Sequence, residues 1–191
     1  MGKILQSLQN TVIAGFALLV VVLAILTGGF ADFSMPAATL WRYVHVLAGV
    51  MWIGLLWYFN FVQIPTMPAI PDEMKPAIGK HIAPRALFWF RWGAMITLIS
   101  GLLLAMVNGM LIDALTLADG ARVIGIGMWL AIVMWFNVWF VIWPNQKIAL
   151  GLVEADAALK PKAARTAMLF SRTNTMLSIP MLFCMIGQSH W

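Results

Sequence analysis

Residues 121–143 read ARVIGIGMWLAIVMWFNVWFVIW, and Arg122 is the only charged residue among them. A helix that crosses the roughly 30 Å hydrocarbon core of a bilayer needs about 20 consecutive apolar residues. This run is long enough, and its side chains do not alternate between apolar and polar as those of a barrel strand do. It therefore predicts a transmembrane helix.

Four further runs have a similar length and composition. With the first, they predict an all-α integral membrane protein, a bundle of about five transmembrane helices that forms a single membrane domain over residues 1–191 in the lipid bilayer. The most N-terminal run is too long for the apolar part of a signal peptide, and no clean cleavage site follows it, so we expect it to be retained. The four runs are residues 11–30, 41–62, 86–107 and 166–187.

The composition of the whole chain agrees with a membrane setting. The chain has 191 residues, of which 62% are hydrophobic and only 10% are charged, and its mean hydropathy is +0.90. Soluble domains have about a quarter of their residues charged, so this surface is expected to meet lipid. The single cysteine, Cys184, excludes an internal disulfide and a CxxCH site for covalent haem.

The distribution of Lys and Arg predicts the orientation. Basic residues collect in cytoplasmic links. Here Lys3 precedes the first helix, three basic residues lie in the link 63–85 and four lie in the link 145–165. The N-terminus is therefore expected in the cytoplasm and the C-terminus outside. The net charge of +5 follows from this pattern, and no basic soluble face points to nucleic acid.

The two basic links differ in composition. Residues 63–85 contain Pro65, Pro68, Pro71, Pro76 and Pro84, which predicts an irregular turn with one short interfacial helix near 73–81. Residues 145–165 are rich in Ala, Leu, Glu and Lys, which predicts an amphipathic helix on the cytoplasmic surface.

His45 is the first polar residue at membrane depth that requires an explanation. Ala48, Gly49 and Trp52 share its helical face by their spacing, and small residues beside a histidine leave room for a flat macrocycle. His45 is therefore a candidate axial ligand of haem b, with Gly49 and Trp52 beside the cofactor. Alternatively, Ala48 and Gly49 let another helix approach closely, and His45 forms a hydrogen bond across that contact.

His190 is expected on the same side of the membrane as His45. The tail QSHW could fold back so that both histidines bind one metal; alternatively, it is a mobile terminus. His81 is expected near the opposite surface, separated from His45 by most of the bilayer core, and is interpreted as interfacial.

A set of polar residues is predicted in the cytoplasmic half of four helices. Its two arginines have no acidic partner at that depth, which favours an anionic ligand such as haem propionates, a substrate oxyanion or a lipid phosphate. Alternatively, the arginines extend to the headgroups and the amides connect helices. The set comprises Asn60, Gln63, Arg91, Asn137, Ser171, Arg172, Asn174, Thr175 and Ser178.

Four stretches together resemble a known family. They are HVLAGVMWIGLLWYFNFVQ (45–63), PRALFWFRWGAMITLISG (84–101), MWFNVWFVIWPNQKI (134–148) and SRTNTMLSIPMLFCM (171–185). They resemble the N-terminal membrane domain of the bacterial membrane-bound urate oxidases, also called cytochrome c urate hydroxylases. The start of the second helix is also similar to the haem-binding helix of membrane-bound protoporphyrinogen oxidases.

The resemblance implies a redox-active module in the bacterial inner membrane, a possible oxidoreductase with His45, Arg91, Asn137, Arg172 and Asn174 as its matching residues. The family passes substrate electrons to its own cytochrome c domain. This chain ends at Trp191 without a site for haem c, so a separate cytochrome c, quinone or other complex subunit is expected to accept them. A non-catalytic subunit of a larger membrane complex and a small-molecule carrier remain alternatives.

Overall fold

The computed structural model describes residues 2–27, 29 and 35–188, and all regular secondary structure within these ranges is helical. Five of the helices are long and apolar enough to cross a membrane, which confirms the predicted fold class. Two short helices, Gly2–Leu5 and Leu111–Leu115, accompany them. The long helices are α1 (Leu8–Thr27), α2 (Ala37–Ala69), α3 (Lys75–Val107), α4 (Arg122–Ala149) and α5 (Leu159–Gly187).

The chain divides into two compact units, Met1–Pro36 and Ala37–Trp191. The first unit contains α1, whose N-terminal turn is joined to the preceding short helix by hydrogen bonds from the Thr11 hydroxyl to the carbonyl oxygens of Ser7 (2.9 Å) and Ile4 (3.2 Å). The second unit contains α2 to α5. Within it, the most extensive helix contacts are those of α2 with α3 and of α4 with α5.

Small residues allow α2 and α3 to pack closely. A Cβ atom added to Gly93 would lie 3.3 Å from the backbone nitrogen of Trp52 and 3.5 Å from the carbonyl oxygen of Ala48. Close backbone approach at small residues is a common basis of helix association in lipid. The close helix approach that was the alternative interpretation of Ala48 is therefore present, with α3 as the partner.

The centre of the second unit is formed by large apolar side chains that are almost completely buried. Trp52, Leu56, Phe90, Met134 and Val138 are each at most 1% exposed. Because lipid tails are as apolar as these side chains, their burial stabilises the bundle through dense van der Waals contact more than through removal from water.

The structure corrects the prediction for residues 63–85. α2 continues to Ala69 and α3 already begins at Lys75, so the connection is only residues 70–74. At 1.5 Å per residue, each of these 33-residue helices is about 50 Å long, well beyond the bilayer core. Pro65 and Pro84 interrupt these helices less than expected because the backbone widens before each of them.

Three π-helical turns provide this widening, at Tyr58–Gln63, Ile78–Ile82 and Asn137–Ile142. Each ends two residues before a proline: Pro65, Pro84 and Pro144 respectively. Proline lacks an N–H group, and its ring collides with the carbonyl four residues earlier. That carbonyl lies inside the π turn in all three cases, where the wider backbone accommodates the ring.

The structure also differs from the amphipathic helix predicted over residues 145–165. α4 continues to Ala149, and α5 begins only at Leu159. Gly151, with φ +68°, ends α4 in a Schellman motif, in which the Leu152 N–H donates to the Lys147 carbonyl at 2.8 Å. Only a residue that adopts positive φ readily closes a helix in this way, so the glycine separates the two helices.

Candidate functional site

The imidazole of His45 lies at the contact between α2 and α3. Its Nδ1 is 2.9 Å from the carbonyl oxygen of Thr97, and the hydroxyl oxygen of Ser100 lies 3.4 Å from the same nitrogen. A carbonyl oxygen only accepts hydrogen bonds, so Nδ1 carries the hydrogen. In a neutral ring, Nε2 is then the nitrogen with a free lone pair.

Gly101 makes room for this ring. A Cβ atom at position 101 would lie 2.8 Å from Cε1 and 3.0 Å from Nδ1 of His45. Both distances are too short for nonbonded carbon and nitrogen atoms, because carbon atoms prefer separations of about 3.5–4.0 Å. The imidazole therefore packs directly on the backbone of α3, and Gly101 is required for its position.

A small cavity, the His45 cavity, adjoins the ring. All four helices of the second unit line it, and its volume is about 40 Å³. Trp52 lines the cavity, and its buried Nε1 has no hydrogen-bond partner among the described residues. The other lining residues are Thr97, Leu98, Gly101, Leu102, Met128, Ala131, Ile132, Met181 and Met185.

The His45 cavity does not accommodate the haem expected at this histidine. One water molecule requires roughly 10–15 Å³ of such volume, so about 40 Å³ holds a few waters or a metal ion and no macrocycle. Gly49 does not widen it, because this residue packs towards Thr97 of α3. His45 thus has the orientation of a ligand without the space for haem.

The other two histidines do not extend this site within the described residues. His190 lies outside the part of the chain that the structure describes. His81 is exposed on the π turn Ile78–Ile82. Within residues 2–27, 29 and 35–188, no three side chains of His, Cys, Asp or Glu form a group that could hold a metal.

A second and much larger cavity, the Gln63 cavity, has a volume of about 440 Å³. Each of the three π turns contributes to its wall, through Phe59 and Gln63, through Ile78, Gly79 and Lys80, and through Ile142. Such turns occur frequently at functional sites. The remaining wall comes from Ile64, Met67, Lys75, Pro76, Ala83, Leu87, Phe90, Gln146, Ala149, Leu150, Ala164, Met168 and Ser171.

The polar groups of the Gln63 cavity include an acceptor and cations. Gln63 has a buried Oε1 without a hydrogen-bond donor among the described residues. Lys75 forms an ion pair with Asp72 at 2.6 Å, and this hydrogen bond lowers the pKa of Asp72 below its ordinary value. Lys80 adds a further positive charge to the wall. The wall of the cavity therefore offers one buried acceptor without a donor, the Oε1 of Gln63, and the positive charge of Lys80 beside the ion-paired Lys75.

The predicted polar set connects helices in two separate pairs. Asn60 of α2 donates to the hydroxyl of Ser171 at 2.7 Å, and Asn137 of α4 donates to Oδ1 of Asn174 at 2.8 Å. Asn174 is fully buried and also donates to the Met134 carbonyl at 2.9 Å. Asn137 and Asn174 are thus engaged with each other and with the backbone, as expected of residues that join α4 to α5.

The two arginines of the polar set do not meet. The guanidinium carbon of Arg91 lies 3.3 Å from the centre of the Trp143 ring, and its Nε donates to the Leu87 carbonyl at 3.2 Å. Arg172 is exposed on α5. A cation over an indole face is stabilised by the ring without an anion, which explains how Arg91 is accommodated at this depth.

The model of a protein family described as urate oxidase N-terminal matches residues 110–191. Residues 110–191, somewhat less than half of the chain, are thus similar to the urate oxidase N-terminal family. The resemblance inferred from the sequence is thereby confirmed for α4 and α5, which carry Asn137, Arg172 and Asn174. No curated protein and no solved structure matches the chain.

The segment that matches the family model, residues 110–191, supplies only part of either cavity. It contributes Gln146 and Ser171 to the Gln63 cavity and Met128, Met181 and Met185 to the His45 cavity. The other resembling stretches, residues 45–63 and 84–101, precede the matched segment, and the roles implied for His45 and Arg91 stay predictions.

Sequence reasoning missed Lys75, Lys80 and Gln146 as residues that share a cavity with Gln63. The sequence signal that could have found them is the set of Pro65, Pro84 and Pro144, each of which follows a π turn that lines the cavity. A single proline is also typical of a helix end. The three prolines therefore indicate a shared site only when the structure shows that their helices meet at one cavity.

Proposed function

We propose that this chain is a redox-active membrane module of the urate oxidase type, which binds a small, planar, anionic heterocycle in the Gln63 cavity. The electrons of that substrate would pass to a separate carrier, such as a cytochrome c or a quinone. The observation that supports this proposal most is the convergence of three π turns on one cavity of about 440 Å³.

The cavity has the size and chemistry for such a ligand. Small-molecule sites are commonly 300–1,000 Å³ and mainly apolar, with a few polar groups that fix orientation. Phe59 and Phe90 pack edge to face in its wall, with ring centres 5.7 Å apart, and provide a surface for a planar ring. Gln63 offers a carbonyl to a ring N–H, and Lys80 offers a charge to an oxyanion.

The orientation is part of the proposal. The excess of Lys and Arg in the connections at the Gln63 end supports a cytoplasmic position for this cavity, in a bacterial inner membrane. The end of the second unit that contains the His45 cavity would then lie towards the outer surface of the membrane. No electron step is assigned to haem at His45, since the cavity beside that residue does not accommodate a macrocycle.

Titration of urate into the purified full chain in mild detergent, followed by tryptophan fluorescence and by calorimetry, tests the binding site. Gln63→Leu and Lys80→Gln should each weaken binding by roughly 10- to 150-fold, because a hydrogen bond to a charged group contributes roughly 1.5–3 kcal/mol. Lys162→Gln removes another exposed charge, which lies on α5 outside the cavity, and should leave the affinity unchanged.

Two results would contradict the proposal. One is the absence of saturable urate binding by a chain that remains folded and monodisperse. The other is equal weakening by Lys80→Gln and Lys162→Gln, which would indicate general attraction of an anion to a basic surface. Reduction of added cytochrome c or quinone by urate, measured with the same variants, tests the electron transfer separately from binding.

A further inference from the structure

We propose that the His45 cavity is a binding site for a soft monovalent metal ion, Cu(I), held by Nε2 of His45 and by thioether sulfurs of Met128, Met181 and Met185. These side chains come from α2, α4 and α5 and line one cavity of about 40 Å³. The proposal is independent of the function assigned to the Gln63 cavity.

The environment of His45 is that of a metal-binding imidazole. Such a histidine usually donates its other ring N–H to a carbonyl or carboxylate, which fixes the tautomer and the ring orientation. Here Nδ1 donates to the Thr97 carbonyl at 2.9 Å, and Gly101 holds the ring against α3. Nε2 remains as the free nitrogen ligand.

The methionines determine which ion the site would take. Met181 is 4% exposed and Met128 is 7% exposed, so both sulfurs are largely removed from competing solvent or lipid. Thioether ligands select Cu(I), whereas Mg²⁺ and Ca²⁺ require oxygen ligands. No carboxylate lines the cavity.

The absence of a carboxylate from the cavity wall also favours an ion of low charge. The free energy of transferring an ion to an apolar medium is large and, by Born's relation, increases with the square of the ionic charge. Neutral imidazole and thioether ligands therefore favour a monovalent ion over a divalent one. The volume also fits, since the cavity has room for an ion and one or two waters but not for a cofactor ring.

Trp52 provides a separate indication of an occupant. Its side chain is 1% exposed and lines the cavity, and its Nε1 has no acceptor among the described residues. A buried donor without a partner is costly. A water or small anion that accompanies the metal ion would accept this hydrogen bond.

The test is metal loading of the full chain, purified in mild detergent under anaerobic conditions. The protein is incubated with Cu(I), or with Ag(I) as a redox-inert probe, then desalted, and bound metal is measured by mass spectrometry. One ion per chain is expected. Competition with a chromogenic Cu(I) chelator gives the affinity, and X-ray absorption should show both sulfur and nitrogen neighbours.

Matched variants assign the ligands. Met128→Leu and Met181→Leu should each weaken binding at least about tenfold, the loss typical even for groups that only support a metal ligand. Leucine conserves the volume, so the variants should fold, which thermal unfolding checks. Met176→Leu, at a position 64% exposed on α5, and Cys184→Ser, which removes the free thiol, should retain the wild-type affinity.

Several outcomes would overturn the proposal. Binding of less than about one ion in ten chains would show that waters fill the cavity. Unchanged affinity in the triple variant Met128→Leu, Met181→Leu, Met185→Leu, or loss of metal in Cys184→Ser alone, would assign the metal elsewhere. Haem can be measured as the pyridine haemochrome. Stoichiometric haem in the wild-type chain that is lost in His45→Ala would show that His45 binds haem instead of a metal ion.

Discussion

Substitution of Gly101 by alanine tests the packing of His45 against α3. The added Cβ would lie 2.8 Å from Cε1 and 3.0 Å from Nδ1 of His45. The imidazole ring must therefore move, and the hydrogen bond from its Nδ1 to the Thr97 carbonyl must lengthen or break. Overpacking of this kind costs about 1–3 kcal/mol, and the net loss of a hydrogen bond costs about 0.5–1.5 kcal/mol. We expect Gly101→Ala to lower the free energy of unfolding by about 2–3 kcal/mol.

Gly54→Ala is the matched control for this prediction. Nothing lies within 4 Å of a Cβ atom at position 54 of α2, and alanine is favoured over glycine inside a helix by roughly 0.5–1 kcal/mol. Reversible unfolding in mixed micelles, followed by circular dichroism, should therefore show opposite signs for the two substitutions.

A double-mutant cycle locates the cause. If the collision with the imidazole destabilises Gly101→Ala, then adding His45→Ala should remove most of that effect, giving a coupling of 0.5 kcal/mol or more, the lower end of the range for residues in contact. The reasoning is refuted if Gly101→Ala is as stable as Gly54→Ala, or if its effect is unchanged in the His45→Ala background.

Three further substitutions have defined outcomes in the same unfolding assay. Asn174→Leu should cost about 1–3 kcal/mol because it leaves the amide of Asn137 unpaired, and the Asn137→Leu, Asn174→Leu double variant should lose less than the sum of the two single variants. Trp143→Leu should lower the free energy of unfolding by about 0.5–2 kcal/mol, because it removes the cation–π contact with Arg91. The same substitution should have a much smaller effect in an Arg91→Leu background, where this contact is already absent. Among the glycines that the structure describes, Gly125 should be the most damaging to replace by alanine, because the added Cβ would collide with the carbonyl oxygen of Ala114, a backbone atom that cannot rotate away. A stable, monodisperse Gly125→Ala variant would contradict this.

The helices were predictable because lipid imposes a simple rule on the sequence. A spanning helix needs a long apolar run, and five such runs are visible in the composition alone. The helix ends were less predictable, since proline stops a helix in most settings. Pro65 and Pro144 instead follow π turns inside continuous helices, a local solution that depends on the packing of the neighbouring helices.

The candidate sites were predictable only in part. His45 was identified because an imidazole at membrane depth is unusual, yet the size of the cavity beside it depends on residues contributed by four helices. Arg91 and Arg172 share a similar depth in the sequence, but depth does not determine which face of a helix a side chain occupies. Their separation depends on the rotation of each helix, which the apolar runs do not specify.

A structure of the full chain determined by electron cryomicroscopy in lipid nanodiscs with saturating urate tests the central proposal most directly. The account predicts density for one planar ligand in the Gln63 cavity, in contact with Phe59, Gln63 and Lys80, that is absent from the Lys80→Gln variant. A cavity filled by a lipid chain in the presence of urate, or urate bound at another place on the molecule, would contradict it.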